Sequence, residues 1–217
     1  PQIAELSVEQ IQSLTYRSFE RLSAEQTPHL TAAQLATIPN EWWFGRWNES
    51  GRVALTESQV QSLLVDRVRL GGLNDEQIAW LTVEQIQSLG YRDFERLGPT
   101  QIVALTSDQV ASIRNGWWFT RMSEETRAAL TAEQIVHLDV YQTSLKYLTG
   151  SQRRALTVEQ IQTLKSYDFR YLTAGQVPHL TLDQMGSVRN KWEFLKMSDE
   201  ARAALNQSQL LALPNVV

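Results

Sequence analysis

Hydrophobic residues recur along the chain in short phrases of about eight residues rather than in one continuous helical stripe. The phrase LTVEQIQSL at 81–89 is representative, with apolar anchors at Leu81, Ile86 and Leu89. In an unbroken helix, anchors five and then three residues apart would drift around the axis. The phrases also lack the strict alternation of a half-buried strand. The pattern therefore predicts many short helices joined by tight turns.

Each phrase carries its own helix-start signal. The hydroxyl of Thr82 can accept from the backbone N–H of Gln85, and the Gln85 side chain can reach back to the Thr82 N–H, which is a capping box. Leu81 and Ile86 then form a hydrophobic staple. We expect helices of about two turns that are stable only when packed on neighbours. The representative capping pairs are Thr82 with Gln85, Thr131 with Gln134 and Thr157 with Gln160.

A longer repeat of 75 residues contains the short one. LSVEQIQSL begins at Leu6, LTVEQIQSL at Leu81 and LTVEQIQTL at Leu156. Residues 1–217 are interpreted as a single array with super-repeats at 6–80, 81–155 and 156–217. Residues 1–5 are the end of a truncated unit, so we expect the parent array to extend upstream. The predicted fold is all-α, a solenoid or superhelix of very short capped helices. Each super-repeat is expected to be one geometric period, such as a superhelical turn.

Composition and charge narrow the class of partner. The chain has 20 Lys and Arg against 24 Asp and Glu, a formal charge of −4, without a long run of either sign. No basic stripe is visible, so nucleic acid and anionic membrane surfaces are disfavoured as partners. The chain has no cysteine, which excludes disulfides and thiolate sites. Its apolar runs are too short to span a bilayer.

One aromatic unit recurs in all three super-repeats and has two interpretations. The favoured interpretation is a bulky structural wedge, capped by Asn and supported by Arg stacking on indole. Its residues are Trp42, Trp117, Trp192, Phe44, Phe119, Phe194, Asn40, Asn115 and Asn190. The other interpretation is a binding surface, because Trp and Arg are frequent interface anchors. The candidate partner-binding residues are Trp43, Trp118, Arg46, Arg121, Tyr16, Tyr91, Arg17 and Arg92.

No pattern of residues indicates catalysis. His29 and His179 are equivalent by repeat, but Ala104 takes their place in the middle copy, which is unlike a repeated metal site. The carboxylates lie mainly near helix starts, and no phosphate-binding glycine loop occurs. We therefore expect a non-enzymatic protein with no catalytic residue, metal ion or cofactor.

The phrase LTxEQIxxL resembles the short Leu-Thr-x-x-Gln-Ile/Val repeats of large bacterial secreted, surface and effector-type proteins. That resemblance implies a bacterial secreted or cell-surface location, a much larger parent and a scaffold role. A second segment, 105–116, is similar to the first helix and loop of transcription-activator-like effector repeats, which read DNA bases. The leading hypothesis is a scaffold that binds a protein partner through one face. The alternatives are a nucleic-acid-binding array and a glycan-acting enzyme with a groove site. The oligomeric state stays open.

Overall fold

The structure, a computed structural model, describes residues 2–113, 116–188 and 191–214, without the side chains of Gln2, Ala4, Tyr16, Trp117 and Trp118. Over these residues the chain is all-helical and contains no strand. The α-helices are α1 (Val8–Gln12), α2 (Tyr16–Glu20), α3 (Ala32–Leu35), α4 (Glu41–Arg46), α5 (Glu49–Val53), α6 (Glu57–Gln61), α7 (Asp75–Trp80), α8 (Val83–Ser88), α9 (Tyr91–Glu95), α10 (Pro99–Ala104), α11 (Ser107–Ser112), α12 (Gly116–Arg121), α13 (Glu124–Ala129), α14 (Ala132–Ile135), α15 (Gly150–Arg154), α16 (Val158–Thr163), α17 (Leu182–Gly186), α18 (Lys191–Leu195), α19 (Asp199–Ala203) and α20 (Gln207–Ala212). Helices of the 3-10 type are Gln2–Glu5, Thr27–His29, Val65–Arg67, Leu70–Gly72, Leu145–Tyr147, Ser166–Tyr171 and Val177–His179.

The α-helices are shorter than the two turns expected from the sequence. The longest have six residues, which is about 1.7 turns at 3.6 residues per turn. In α8 the cause is visible at both ends. Thr82 caps the start in an extended conformation, and Leu89 returns to an extended conformation (φ −66°, ψ 141°) where it anchors the next unit. Leu81 and Leu89 thus each lie between the end of one helix and the cap of the next.

Proline affects two kinds of unit differently. A proline inside a helical unit predicts an irregular unit, and the units of Pro28 and Pro178 form 3-10 turns. The same prediction is wrong for the unit that starts with Gly98 and Pro99, because α10 is a regular six-residue helix that starts at Pro99. A proline at the first helical position loses nothing, since its missing N–H would have no partner within the helix.

One unit, at 64–73, is ten residues long instead of about eight and does not form a single short helix. It divides into two 3-10 turns, Val65–Arg67 and Leu70–Gly72. Val65, Val68, Leu70 and Leu73 are all buried, so each half brings its own apolar side chains to the core.

The helices pack mainly against elements about 25 residues away. The contacting pairs include α1 with α3, α2 with α4, α7 with α10, α8 with α11, α9 with α12, α10 with α13, α11 with α14 and α17 with α20. The unit-starting and mid-helix apolar residues, such as Leu81 and Ile86, form one buried cluster. Because helices of five or six residues are unstable alone, these contacts are what hold them.

The capping glutamine connects neighbouring helices as well as capping its own. In Gln134 the side-chain oxygen accepts from the Thr131 N–H at 3.1 Å. The Gln134 amide then donates to the carbonyls of Ile102 at 2.9 Å and Leu105 at 2.8 Å, where another helix ends. This satisfies carbonyls that a helix end leaves without partners. The other glutamines that donate across in this way are Gln34, Gln59, Gln77, Gln85, Gln101, Gln109, Gln152, Gln160, Gln176, Gln184 and Gln209.

Candidate macromolecule-binding face

A second set of segments stacks without glutamine. Every third unit, counted from Leu14, lacks the Ser/Thr/Asn–x–x–Gln pattern. These segments begin at residues 14, 38, 63, 89, 113, 138, 164 and 188, at intervals of 24 to 26 residues. We call the surface that they form the aromatic–basic face, and over the described part of the chain it consists of residues 14–21, 38–46, 63–72, 89–96, 113, 116–121, 138–147, 164–171, 188 and 191–196.

Contacts join each of these segments to the next. Helix α2 packs on α4, α4 on the turn Val65–Arg67, α9 on α12, and Ser166–Tyr171 on both Leu145–Tyr147 and α18. A Cβ on Gly71 would lie 3.1 Å from the Arg96 carbonyl oxygen, which joins the third segment to the fourth, and the Glu41–Arg96 ion pair connects the second segment with the fourth. Gly116 lies so close to the Gln142 carbonyl that a Cβ there would be 1.8 Å from the oxygen, which joins the fifth segment to the sixth. The eight segments therefore form one continuous row.

Charge is strongly segregated between this row and the rest of the chain. Fifteen of the 20 Lys and Arg belong to its segments, against eight of the 24 Asp and Glu. In the sequence, the eight segments thus carry a formal charge of +7 and the remainder of the chain −11. The described cations of the face are Arg17, Arg21, Arg46, Arg67, Arg69, Arg92, Arg96, Arg121, Lys146, Lys165, Arg170, Lys191 and Lys196, and Arg114 and Arg189 lie outside the described residues. No basic stripe is visible along the chain, because the cations that the structure brings into one row belong to segments that are separated in sequence.

Aromatic residues are concentrated in the same segments. Seventeen of the 19 Trp, Tyr and Phe residues belong to them, and the other two are Trp47 and Trp80. Among the described side chains, all of the exposed aromatic ones lie on this face. These are Trp42, Tyr91, Tyr141, Tyr167 and Trp192, with exposures from 43% to 74%. The face therefore offers aromatic rings to solvent between its cations.

Cations lie over several of these rings. The Arg46 guanidinium is 5.3 Å from the centre of the Trp42 ring, and that of Arg121 is 5.4 Å from the Tyr91 ring. The Lys165 ammonium lies 4.0 Å from the Tyr141 ring. Such cation–π pairs hold long side chains in place at a small energetic gain. They pre-organise a surface in which rings alternate with positive charge.

The structure brings some of the candidate partner-binding residues together. Tyr91 and Arg92 on α9 meet Arg121 on α12, and the Arg92 Nε donates to the Tyr91 hydroxyl at 3.3 Å. Arg17 and Arg46 are exposed on neighbouring helices α2 and α4. The side chains of Tyr16 and Trp118 lie outside the described residues.

Trp43 is a packing residue rather than an exposed anchor. Its ring is half-buried and makes an edge-to-face contact with Phe19 at 5.8 Å. Trp42, interpreted from the sequence as part of the wedge, is instead 50% exposed. Successive helical residues are rotated by about 100°, so the fully buried Phe44 directs Trp42 outward and leaves Trp43 on the flank. The two tryptophans therefore have the reverse of their predicted roles.

The other residues of the predicted wedge differ from one another in burial. Phe44 and Phe119 are buried in the core, Phe194 is half-buried, and Trp192 is 74% exposed, so Trp192 is not a wedge. Asn40 accepts from the N–H groups of the following tryptophans at 3.1 and 3.2 Å, as expected of a cap. Asn115, Asn190 and the Trp117 side chain lie outside the described residues.

A shallow groove on the face contains three carboxylates. Glu41, Asp66 and Asp93 line it together with Tyr91 and Arg96, and its volume is about 370 Å³. The hydrogen bond from Arg96 lowers the pKa of Glu41, whereas burial raises the pKa of Asp93. The Asp93 carboxylate accepts from the Gly90 N–H at 2.9 Å. These contacts tie two of the three carboxylates to neighbouring protein groups.

Asp168, the repeat equivalent of Asp93, is a buried carboxylate on the same face. Its Oδ1 accepts from the Ser144 hydroxyl at 2.9 Å and from the Leu145 N–H at 3.1 Å. Burial raises the pKa of Asp168 despite these hydrogen bonds. The carboxylate thus joins the sixth and seventh segments of the row.

No protein-family model, curated protein or solved structure matches this chain. Across residues 2–113, 116–188 and 191–214, no His, Asp and Glu side chains cluster as metal ligands. In the same part of the chain, every helix is too short and too polar to cross a bilayer.

Proposed function

We propose that this chain is a non-catalytic solenoid module that binds an anionic macromolecule along the aromatic–basic face. The solenoid has three helical segments per turn of about 25 residues, so a 75-residue super-repeat covers three turns rather than one. Support comes from the contacts between elements about 25 residues apart and from the glutamine amides that donate across the same interval. A larger bacterial secreted or effector-type parent remains part of the proposal.

The segregation of charge is the observation that carries the binding role. Eight segments that together carry a formal charge of +7 in a chain of net −4 are not needed for solubility, which only requires a net charge away from zero. Clustered cations attract polyanions over several ångströms and accelerate their association. The −11 on the remaining surface then directs an anionic partner to this row and away from the other sides.

A protein scaffold and a glycan-acting enzyme are the other functions that the sequence leaves open. The scaffold hypothesis is retained in a narrower form, because the row selects for negative charge in its partner. The enzyme hypothesis depends on the carboxylate groove. There, Arg96 pairs with Glu41 and a backbone N–H binds Asp93. A general acid or base must be able to reach a substrate, and these contacts favour a structural role.

Retention on immobilised heparin tests the proposal. The wild-type chain should bind at low salt despite its net negative charge and elute as salt rises. Arg46→Glu and Arg121→Glu should each elute at lower salt, because both side chains are exposed on the face. Arg154→Glu is the matched control, since it makes the same change in net charge at an exposed position outside the face.

Two results would contradict the proposal. One is a wild-type chain that passes through the column at low salt. The other is an equal loss of retention for Arg154→Glu and Arg46→Glu, which would show that net charge rather than the face governs binding. Circular dichroism of each variant confirms that it is folded.

A further inference from the structure

We propose that the anionic partner of the aromatic–basic face is single-stranded nucleic acid, bound with its phosphates on the cations and its bases stacked on the exposed rings. This inference rests on the proposed function and specifies the chemistry of the partner. It uses two observations together, the row of cations and the exposed aromatic rings between them.

The exposed aromatic rings favour single-stranded nucleic acid over other polyanions as the partner. Phosphate attraction alone needs only Lys and Arg, yet Trp42 and Trp192 are exposed at 50% and 74% on the same surface. Every base has a π-face, so stacking on such rings is tolerant of sequence and suits a strand with unpaired bases. An acidic peptide or a sulfated glycan has no comparable flat groups along its length.

Cation–π pairs suit the same role. Arg46 lies over the Trp42 ring, and Arg121 lies over Tyr91. A guanidinium held beside a ring can contact a phosphate while the exposed ring area receives a base. The pairs recur on successive segments of the row, so they match a partner that is itself a repeating alternation of charge and aromatic surface.

Duplex DNA fits this surface less well. Reading the major groove normally requires a helix or a two-stranded ribbon that enters it, and α4, α9 and α12 have only five or six residues each. Paired bases are also stacked on one another and cannot cover exposed side-chain rings. A single strand lying along the row meets neither restriction.

The test uses fluorescence anisotropy with a labelled (dT) strand of ~20 nucleotides, a length chosen to cover the row. The wild-type chain should bind it, and log affinity should fall with log salt with a slope of up to about −5, from about 0.7 per neutralised phosphate and the formal charge of +7 that the eight segments carry in the sequence. A strand of the same length with abasic sites throughout should bind at least tenfold more weakly. Binding of (dT) should also quench tryptophan emission.

Two variants and a control locate the stacking. Trp42→Ala and Trp192→Ala should each weaken (dT) binding by about tenfold, in line with measured losses of base–aromatic stacking. Neither substitution should change the binding of the abasic strand by more than about twofold. Leu211→Ala is the control, because Leu211 is 79% exposed outside the face. It should leave both affinities unchanged.

The outcomes separate the two proposals. If (dT), the abasic strand, heparin and polyglutamate bind equally well at equal charge, base stacking is absent and this inference fails, while the polyanion-binding function stands. Tighter binding of a duplex than of either single strand would also overturn it. If none of these polymers binds at low salt, the proposed function fails as well.

Discussion

Replacing one bridging glutamine tests the interaction that repeats most often in this fold. Gln134 is 5% exposed and lies in the middle of the chain. Its amide donates to the carbonyls of Ile102, Val103 and Leu105 at 2.8 to 3.1 Å. Gln134→Met keeps the approximate shape of the side chain and removes its polar atoms. The Ile102 and Leu105 carbonyls are then left in a buried site without this donor.

The magnitude follows mainly from the Leu105 carbonyl, because the Ile102 carbonyl still accepts from the Leu105 N–H at 3.4 Å. Leaving a buried polar group without a partner costs about 1–3 kcal/mol, and the lost second and capping hydrogen bonds add a fraction of that. We expect Gln134→Met to lower the free energy of unfolding by about 3 kcal/mol. For a chain of this size, each kcal/mol lowers Tm by about 2–4 °C, so Tm should fall by about 6–12 °C. Gln134→Glu should cost more at neutral pH, because a carboxylate would face the carbonyls.

Thermal and urea unfolding, followed by circular dichroism, measure the effect. Gln162→Met is the matched control, because Gln162 occupies an exposed position in α16. It should change stability by less than about 0.5 kcal/mol, as surface substitutions usually do. If Gln134→Met and Gln162→Met unfold within that margin of each other, the bridging hydrogen bonds do not hold the helices together and the reasoning is refuted.

Two further predictions concern close packing and buried charge on the aromatic–basic face. Gly116→Ala should destabilise the chain by about 1–3 kcal/mol in urea unfolding, because a Cβ would meet the Gln142 carbonyl at 1.8 Å; Gly175→Ala, with no heavy atom within 4 Å, is its control and should be close to neutral. Burial raises the pKa of Asp168 in the folded chain above its unfolded value, so the stability from this group is present at low pH and is lost as pH rises through the folded pKa. Asp168→Asn keeps an Oδ1 that can accept both hydrogen bonds but has no carboxyl group to ionise. The Tm of Asp168→Asn minus that of the wild type should therefore be more positive at pH 7 than at pH 4. A Tm difference that does not change with pH would contradict this account.

The local part of the fold could be predicted from sequence because it is encoded locally. A Thr followed three residues later by Gln predicts a helix start, and both reciprocal hydrogen bonds form at Thr82, Thr131 and Thr157. The second role of the glutamine could not be seen in this way. Its amide donates to carbonyls 20 to 32 residues away, and nothing in an eight-residue phrase shows which other helix lies there.

The aromatic–basic face could not be seen in the sequence for a related reason. Each segment contributes only one to three cations, so no run of positive charge appears along the chain. The available signal is that every third unit lacks the capping glutamine, and these units stack in the structure, although the units that begin at residues 47, 122 and 197 lack that glutamine too. The orientation of Trp42 and Trp43 was also undetermined, because a six-residue helix is too short for its pattern to define a buried face. The burial of Phe44 in the folded chain decides it.

Cross-linking between two positions on the face tests the central claim, that segments recurring about every 25 residues stack into one row. The chain has no cysteine, so Glu41→Cys with Arg96→Cys creates a single pair at an observed ion pair. A short bismaleimide should join these residues within one chain in high yield. Glu57→Cys with Arg96→Cys is the control, because Glu57 is nearer in sequence but lies outside the row, and it should give little product. Equal yields for both pairs, or more product from the control, would contradict the stacked row.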